Sequence, residues 1–318
     1  MNARSTVGAV SDGAAIEAIG LTKRYGDVIA VDDLSFRVRD GAVTGFLGPN
    51  GAGKTTTLRM VLGLARPTAG HATVEGRRYT DLPEPARTVG ANLEVAGAHP
   101  GRSGRDHLRA LAAMAGLPRS RVEEVLRLVE LDRAAGRRAG KYSLGMRQRL
   151  GLAATLLGDP RVLVLDEPAN GLDPQGIRWL RDFLRSMAAE GRTVLVSSHV
   201  LAEVAQTVDD VVVIHRGRLV EQGPVERLTA GAGVLVRTPR PAELRGALER
   251  EGLAVADGGA GELIVDTADP ARVGDVAFAA GVPLHELTAR STSLEESFLA
   301  LTSDAPAVER SLPSPEAP

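Results

Sequence analysis

Residues 48–55 read Gly48-Pro-Asn-Gly-Ala-Gly-Lys-Thr55, matching the pattern G-x-x-x-x-G-K-[ST]. The six residues before it, 42–47, are an apolar run of strand character. After it Leu58, Val61, Leu62 and Ala65 recur at helical spacing, predicting a helix over 54–64. A strand, a glycine-rich turn and a helix in that order are the context in which this pattern binds phosphate. Gly48, Gly51 and Gly53 leave backbone N–H groups free to wrap phosphate oxygens, and the helix N-terminus adds the positive end of its dipole. Lys54 supplies charge and the Thr55 hydroxyl a place on Mg²⁺. Pro49, Asn50, Ala52 and Thr56 complete the loop.

The surrounding pattern is that of an α/β chain. Segments 15–21 and 28–39 join 42–47 as strands. Segment 103–131 carries helical periodicity broken at Gly116-Leu-Pro118, a helical insertion. Strands at 161–165, 193–197 and 210–215 then alternate with helices near 174–189 and 200–208, the signature of a parallel sheet with crossovers. Near Gly231 and Gly233 the pattern resets. Segments 234–237, 243–250, 253–256, 263–266, 271–280, 283–287 and 294–301 alternate as strand, helix, strand, strand, helix, strand, helix, a small α+β domain of ferredoxin-like order. The expected organisation is a disordered N-terminus (1–14), a nucleotide-binding domain (15–231) with a helical subdomain at about 95–158, an accessory domain (232–302) and a disordered tail (303–318).

Composition narrows the function classes. The net charge is −2 with no long block of like charge, which disfavours nucleic acid as the main partner. There is no cysteine, excluding disulfides and thiolate chemistry. No apolar run approaches the roughly 20 residues that span a bilayer, and the first 15 residues lack the apolar core of a secretory signal. A cytoplasmic chain that needs a partner for any membrane role is expected. Of 38 basic residues only Lys23, Lys54 and Lys141 are lysine; Lys23 and Lys141 read as surface residues, Lys54 as the phosphate-loop cation.

The apolar run 162–165 ends in Asp166 and Glu167. A strand of a parallel sheet delivers such carboxylates to the carboxyl edge, beside the phosphate loop. There Asp166 can hold the Mg²⁺ shell and Glu167 can act as general base toward a water.

Four further segments make the chain resemble the ABC ATPase family over roughly 16–228. Tyr142-Ser-Leu-Gly-Met-Arg-Gln-Arg149 resembles the signature motif, and Gly171-Leu-Asp-Pro174 the D-loop. His199 in Ser197-Ser-His-Val resembles the switch histidine, and Tyr25 in Lys23-Arg-Tyr-Gly the aromatic that stacks on adenine. The resemblance implies a P-loop ABC-type nucleotide-binding domain, with a mixed sheet core and a helical subdomain, that binds and hydrolyses ATP with Mg²⁺. It implies that Ser143 and Gly145 reach the γ-phosphate held by the opposite subunit, that Asp173 lines the dimer seam, and that His199 contacts the γ-phosphate. Two positions depart from the family. Leu144 and Met146 stand where Gly and Gln are usual, and Glu94 stands at the Q-loop glutamine, where its carboxylate could reach Mg²⁺. Both departures resemble cassettes of antibiotic and lantibiotic-peptide efflux, and Leu294-Glu-Glu-Ser-Phe298 resembles the end of drug-efflux cassettes. The expected protein is a homodimeric ATPase subunit of an exporter. It would sit at the cytoplasmic face of the plasma membrane beneath a separately encoded integral membrane permease. The alternative is a soluble ABC ATPase acting on ribosomes or nucleic acid.

Overall fold

The computed structural model describes residues 13–93, 97–200, 206–259, 261–267 and 269–291. The tail 303–318, the helix expected at 294–301, most of the N-terminus 1–14 and the centre of the helix expected at 200–208 lie outside the described residues. Ala14 already belongs to the first strand. The chain divides into two compact units, 1–227 and 228–318.

The first unit begins with β1 (Ala14–Tyr25), β2 (Val28–Arg39) and β3 (Val43–Leu47), followed by α1 (Lys54–Val61) and β4 (Ala69–Val74). Next come α2 (Pro85–Thr88), β5 (Val89–Asn92), α3 (Gly104–Met114), α4 (Ser120–Leu128) and α5 (Leu144–Thr155). The unit continues through β6 (Val162–Asp166), α6 (Pro174–Ala189), β7 (Thr193–Ser198), β8 (Asp210–His215) and β9 (Arg218–Pro224). A short helix, α7 (Val225–Thr229), lies on the boundary.

These strands form two sheets. One is antiparallel with order β2-β1-β4; the other is six-stranded with order β5-β6-β7-β3-β8-β9, parallel except for β9. Buried residues of the antiparallel sheet (Ile16, Leu34), of α1 (Leu58, Val61) and of the six-stranded sheet (Phe46, Val164, Leu195) share one core. Every residue of β3 and β7 is buried, as expected of inner strands covered on both faces. Strands β4, β5 and β9 carry too little apolar patterning to have been read from sequence. Helix α1 stops earlier than the expected 64, because Gly63 takes φ 67°. Its N–H bonds Met60 O at 3.1 Å and Leu64 N–H bonds Arg59 O at 2.8 Å, a Schellman end.

Helices α3, α4 and α5 pack on one another, and α5 packs on β5. Gly104 opens α3 because Ser103 accepts the Asp106 N–H at 3.1 Å. Between α5 and β6, Asp159 (φ 56°) ties this helical layer to the parallel sheet. It accepts Arg121 Nη2 of α4 at 2.7 Å and Arg192 Nη2, next to β7, at 2.9 Å.

The second unit runs β10 (Ala230–Arg237), α8 (Pro241–Arg250), β11 (Val255–Gly259), β12 (Glu262–Val265), α9 (Pro270–Ala279) and β13 (Glu286–Ser291). The sheet order is β11-β12-β10-β13 with every neighbouring pair antiparallel, a ferredoxin-like arrangement. Val234, Val236, Leu263 and Val265 pack with Leu244, Leu248 and Val273 of the two helices. β13 starts later than the expected 283, since Pro283 has no N–H to pair and its carbonyl accepts the Thr238 hydroxyl at 2.8 Å.

Burial works to raise the pKa of Asp159, but its bonds to Arg192 and Arg121 outweigh it and hold the carboxyl below the ordinary value. A folded-state pKa below the unfolded one gives stability that is present above the unfolded value and lost as pH falls through the folded one. Asp159→Asn should therefore lower the thermal midpoint at neutral pH by about 1–3 °C, a modest shift because the carboxylate is largely exposed. Thermal melts across pH should show the gap to the parent closing below about pH 4.

Candidate functional site

The site is assembled by strand register. β3 lies parallel between β7 and β8, and β6 lies on the far side of β7, so the carboxyl ends of β3, β6 and β7 come out on one edge. β3 delivers the 48–55 loop, β6 delivers Asp166 and Glu167, and β7 delivers Ser197, Ser198 and then His199. Asp166 is the register partner of Ser197.

The loop wraps tightly. A Cβ on Gly48 would stand 2.5 Å from Ile214 O, and one on Gly53 would stand 2.5 Å from Ala30 O. Gly53 also takes φ 102° as N-cap of α1, a backbone that L side chains rarely adopt. Ala52 N–H closes the loop on Pro49 O at 3.1 Å, and Gly217 N–H bonds Ala52 O at 2.9 Å, tying the loop to the β8–β9 turn. Lys54 is 6% exposed; its ammonium donates to Gly48 O at 2.7 Å and to Pro49 O at 3.3 Å.

Two polar groupings converge on this loop. Thr55 Oγ1 donates to Asp166 Oδ2 at 2.6 Å, and Ser197 Oγ donates to Asp166 Oδ1. Beside them, Glu167 lies between Lys54 Nζ at 3.2 Å and His199 Nδ1 at 2.8 Å. Glu167 takes φ 49°, uncommon for a residue with a side chain. Its N–H donates to Ser197 Oγ at 3.0 Å, which fixes that turn. Ser197 therefore braces both carboxylate residues, a role the sequence reading did not assign. The signal was present in that a serine precedes Ser198-His199 at the end of a buried strand.

The donor set fits a hard cation: a hydroxyl and a carboxylate oxygen in contact, next to a loop that would present phosphate. Among the described residues, no group of three or more His, Asp or Glu side chains could hold a metal ion by itself. Glu94, the third expected metal ligand, lies outside the described residues.

Ser143, Gly145 and Asp173 form a separate group. Ser143 caps α5 by accepting Met146 N–H at 3.2 Å, and Asp173 caps α6 by accepting Gly176 N–H at 2.7 Å. Leu172 Cδ2 lies 3.6 Å from where a Cβ of Gly145 would be. No hydrogen bond or ion pair among the described residues joins the Ser143 or Asp173 side chain to Lys54, Thr55, Asp166, Glu167 or His199. Tyr25, at the end of β1, is 52% exposed, and Lys23 Nζ stands 4.8 Å from its ring centroid while donating to Arg66 O at 2.7 Å. Lys23 is thus not mere surface decoration.

Ser197→Ala leaves the Glu167 N–H and Asp166 without their shared partner. The loss should cost about 1–3 kcal/mol of unfolding free energy in urea titrations, with Ser197→Thr, which keeps the hydroxyl, recovering most of it.

Comparison with known proteins agrees with this arrangement. Residues 31–170 match the family model described as ABC transporter, and residues 232–295 match a domain of unknown function. The bacitracin transport ATP-binding protein BcrA of Bacillus licheniformis is 44% identical over 216 residues, covering 67% of this chain and 71% of that protein. The uncharacterized ABC transporter ATP-binding protein YhcH of Bacillus subtilis is 36% identical over 294 residues, covering 91% and 96% respectively. Among solved structures, an ATP-binding subunit of an ABC transporter superposes with a TM-score of 0.61 at 29% identity, covering 67% of this chain and 91% of that one. A phosphate loop, a paired carboxylate strand and a relative of this identity and coverage lead to one conclusion: the chain belongs to the family of ABC transporter ATP-binding proteins and is an ATPase subunit of that family.

Proposed function

We propose that this cassette drives export of drugs or antibiotic peptides, acting as one of two copies beneath a separately encoded integral membrane permease at the cytoplasmic face of the plasma membrane. Cargo class and direction rest on the bacitracin transport relative at 44% identity and on the resemblance carried by Leu144 and Met146. Among the described residues no helix is long and apolar enough to cross a membrane.

The single observation that carries the catalytic assignment is Glu167 held between Lys54 and His199, one residue beyond the Asp166–Thr55 contact. In our reading ATP takes the loop 48–56, with backbone N–H groups and Lys54 on its phosphates and the adenine on Tyr25. Lys54 then exchanges its contacts with Gly48 O and Pro49 O for phosphate oxygens, and Glu167 is released from it to orient and deprotonate the attacking water. His199 stays on Glu167 and reaches toward the γ-phosphate. Thr55 and Asp166 would hold Mg²⁺, which would supply positive charge against the phosphates. Ser143 and Gly145, unattached to this cluster in their own chain, contact the γ-phosphate of the opposite cassette, and Asp173 lines the seam. Closure of two copies around two ATP molecules would push on the permease, and hydrolysis would reopen them.

Glu167→Gln should retain ATP binding, lose turnover by about a hundredfold or more and accumulate a closed dimer, as read by nucleotide-binding titration, phosphate release and sedimentation. Unchanged turnover overturns the general-base assignment. Tyr25→Ala should raise KM for ATP about three- to tenfold with little change in kcat, since it removes ground-state stacking rather than a contact made in the transition state.

A further inference from the structure

The first turns of α5 are fastened at four points to the segment leading into α6 and to α6 itself. Leu144 lies against Gly171; with φ 72° there, any Cβ on Gly171 would overlap Leu144 Cδ2. Gly145 faces Leu172 at van der Waals range. Gln148, 4% exposed, reaches Asn170 O at 3.5 Å. At the next residue, the Arg149 guanidinium lies over the Trp179 ring with its Cζ 3.9 Å from the centroid. Arg149 is itself held by Glu130 Oε2 at 2.5 Å and Val129 O at 3.1 Å, so its position is fixed from the helical layer. Trp179 also stacks on Phe183 of the same helix, with centroids 5.2 Å apart.

The departure at Leu144 acquires a reason from this packing. A branched side chain at 144 requires no side chain at 171, and Gly171 provides that vacancy. The planar guanidinium can stack flat on the indole while still donating to Glu130, which a lysine could not do equally well.

We infer that these contacts join the starts of α5 and α6 into one arm, with Arg149 and Trp179 as positioning residues. Ser143 and Asp173, the caps of the two helices, are thereby presented to the opposite cassette as a single unit. The inference rests on the proposed two-cassette reading. It concerns how the trans-acting groups are held, which neither Ser143 nor Asp173 determines alone.

Steady-state ATPase measurements on the full chain test it. Trp179→Ala should lower kcat about fivefold or more while KM for ATP stays within about twofold, because the arm acts on turnover in the partner's site and not on the loop that binds ATP. Trp179→Phe, which keeps a ring under Arg149, should retain kcat within about twofold. The double variant Leu144→Ala/Trp179→Ala should be no worse than the more damaging single, as expected of residues that act as a unit. An unchanged kcat in Trp179→Ala, or kcat and KM shifting in parallel, overturns the inference.

A second measurement leaves the arm intact. Trp179 is the one tryptophan of the chain, so tryptophan emission reports on the surroundings of this single side chain. In Glu167→Gln protein titrated with ATP and Mg²⁺, the emission maximum and acrylamide quenching should stay constant while sedimentation follows monomer to dimer. A dimer with shifted emission overturns the arm alone. Saturating ATP with no dimer overturns the two-cassette reading and this inference with it.

Discussion

The parallel pairing of β6, β7 and β3 is the constraint on which the rest depends. Because these strands run side by side in one direction, their carboxyl ends bring the 48–55 loop, Asp166, Glu167 and Ser197 to the same edge. The strands are buried on both faces and hold that edge rigidly, so 2.6–3.2 Å contacts form between residues more than a hundred positions apart in sequence. Without that register the carboxylates would be an acidic turn and the loop a glycine-rich bend. Antiparallel β1, β2 and β4 serve a different purpose, closing the core over α1 and carrying Tyr25 at the end of a hairpin strand.

Much of this was legible in the sequence because the strongest elements are locally determined. The apolar runs 162–165 of β6 and 194–196 of β7 are continuous, as suits covered strands, and the helix after Gly53 announces itself by periodicity. The weaker elements depend on tertiary context. β5 contains Gly90, whose missing side chain lets α5 lie close, since a Cβ there would stand 2.3 Å from Thr155 O. Nothing in residues 89–92 shows that closeness by itself. β9 pairs at a sheet edge and is mostly half-buried, so its pattern is diluted.

At the site, residue types defined by motif could be identified, but their partners could not. Thr55 and Asp166 were assigned to one cation from the sequence, and the structure brings their oxygens into contact. Ser197 was missed because its importance lies in being the register partner of Asp166, a relation only the folded sheet creates. The same holds for Arg149 and Trp179, which are thirty positions apart and carry no recognisable spacing. Lys23 looked like one surface cation among many basic residues; its contacts with the Tyr25 ring and the Arg66 carbonyl are products of the antiparallel sheet meeting the loop before β4.

The cap on α5 has a chemical consequence of its own. Ser143 Oγ already accepts the Met146 N–H with one lone pair, so the hydroxyl keeps its proton and one further lone pair to offer outward. Next to it, the first backbone N–H groups of the helix also have only hydrogens to give. A surface made this way discriminates by polarity rather than by shape: several hydrogens welcome an electron-rich oxygen, against a single remaining lone pair on Ser143 for an ammonium or an amide hydrogen. Whatever α5 meets at its N-terminus is selected first for being a hydrogen-bond acceptor.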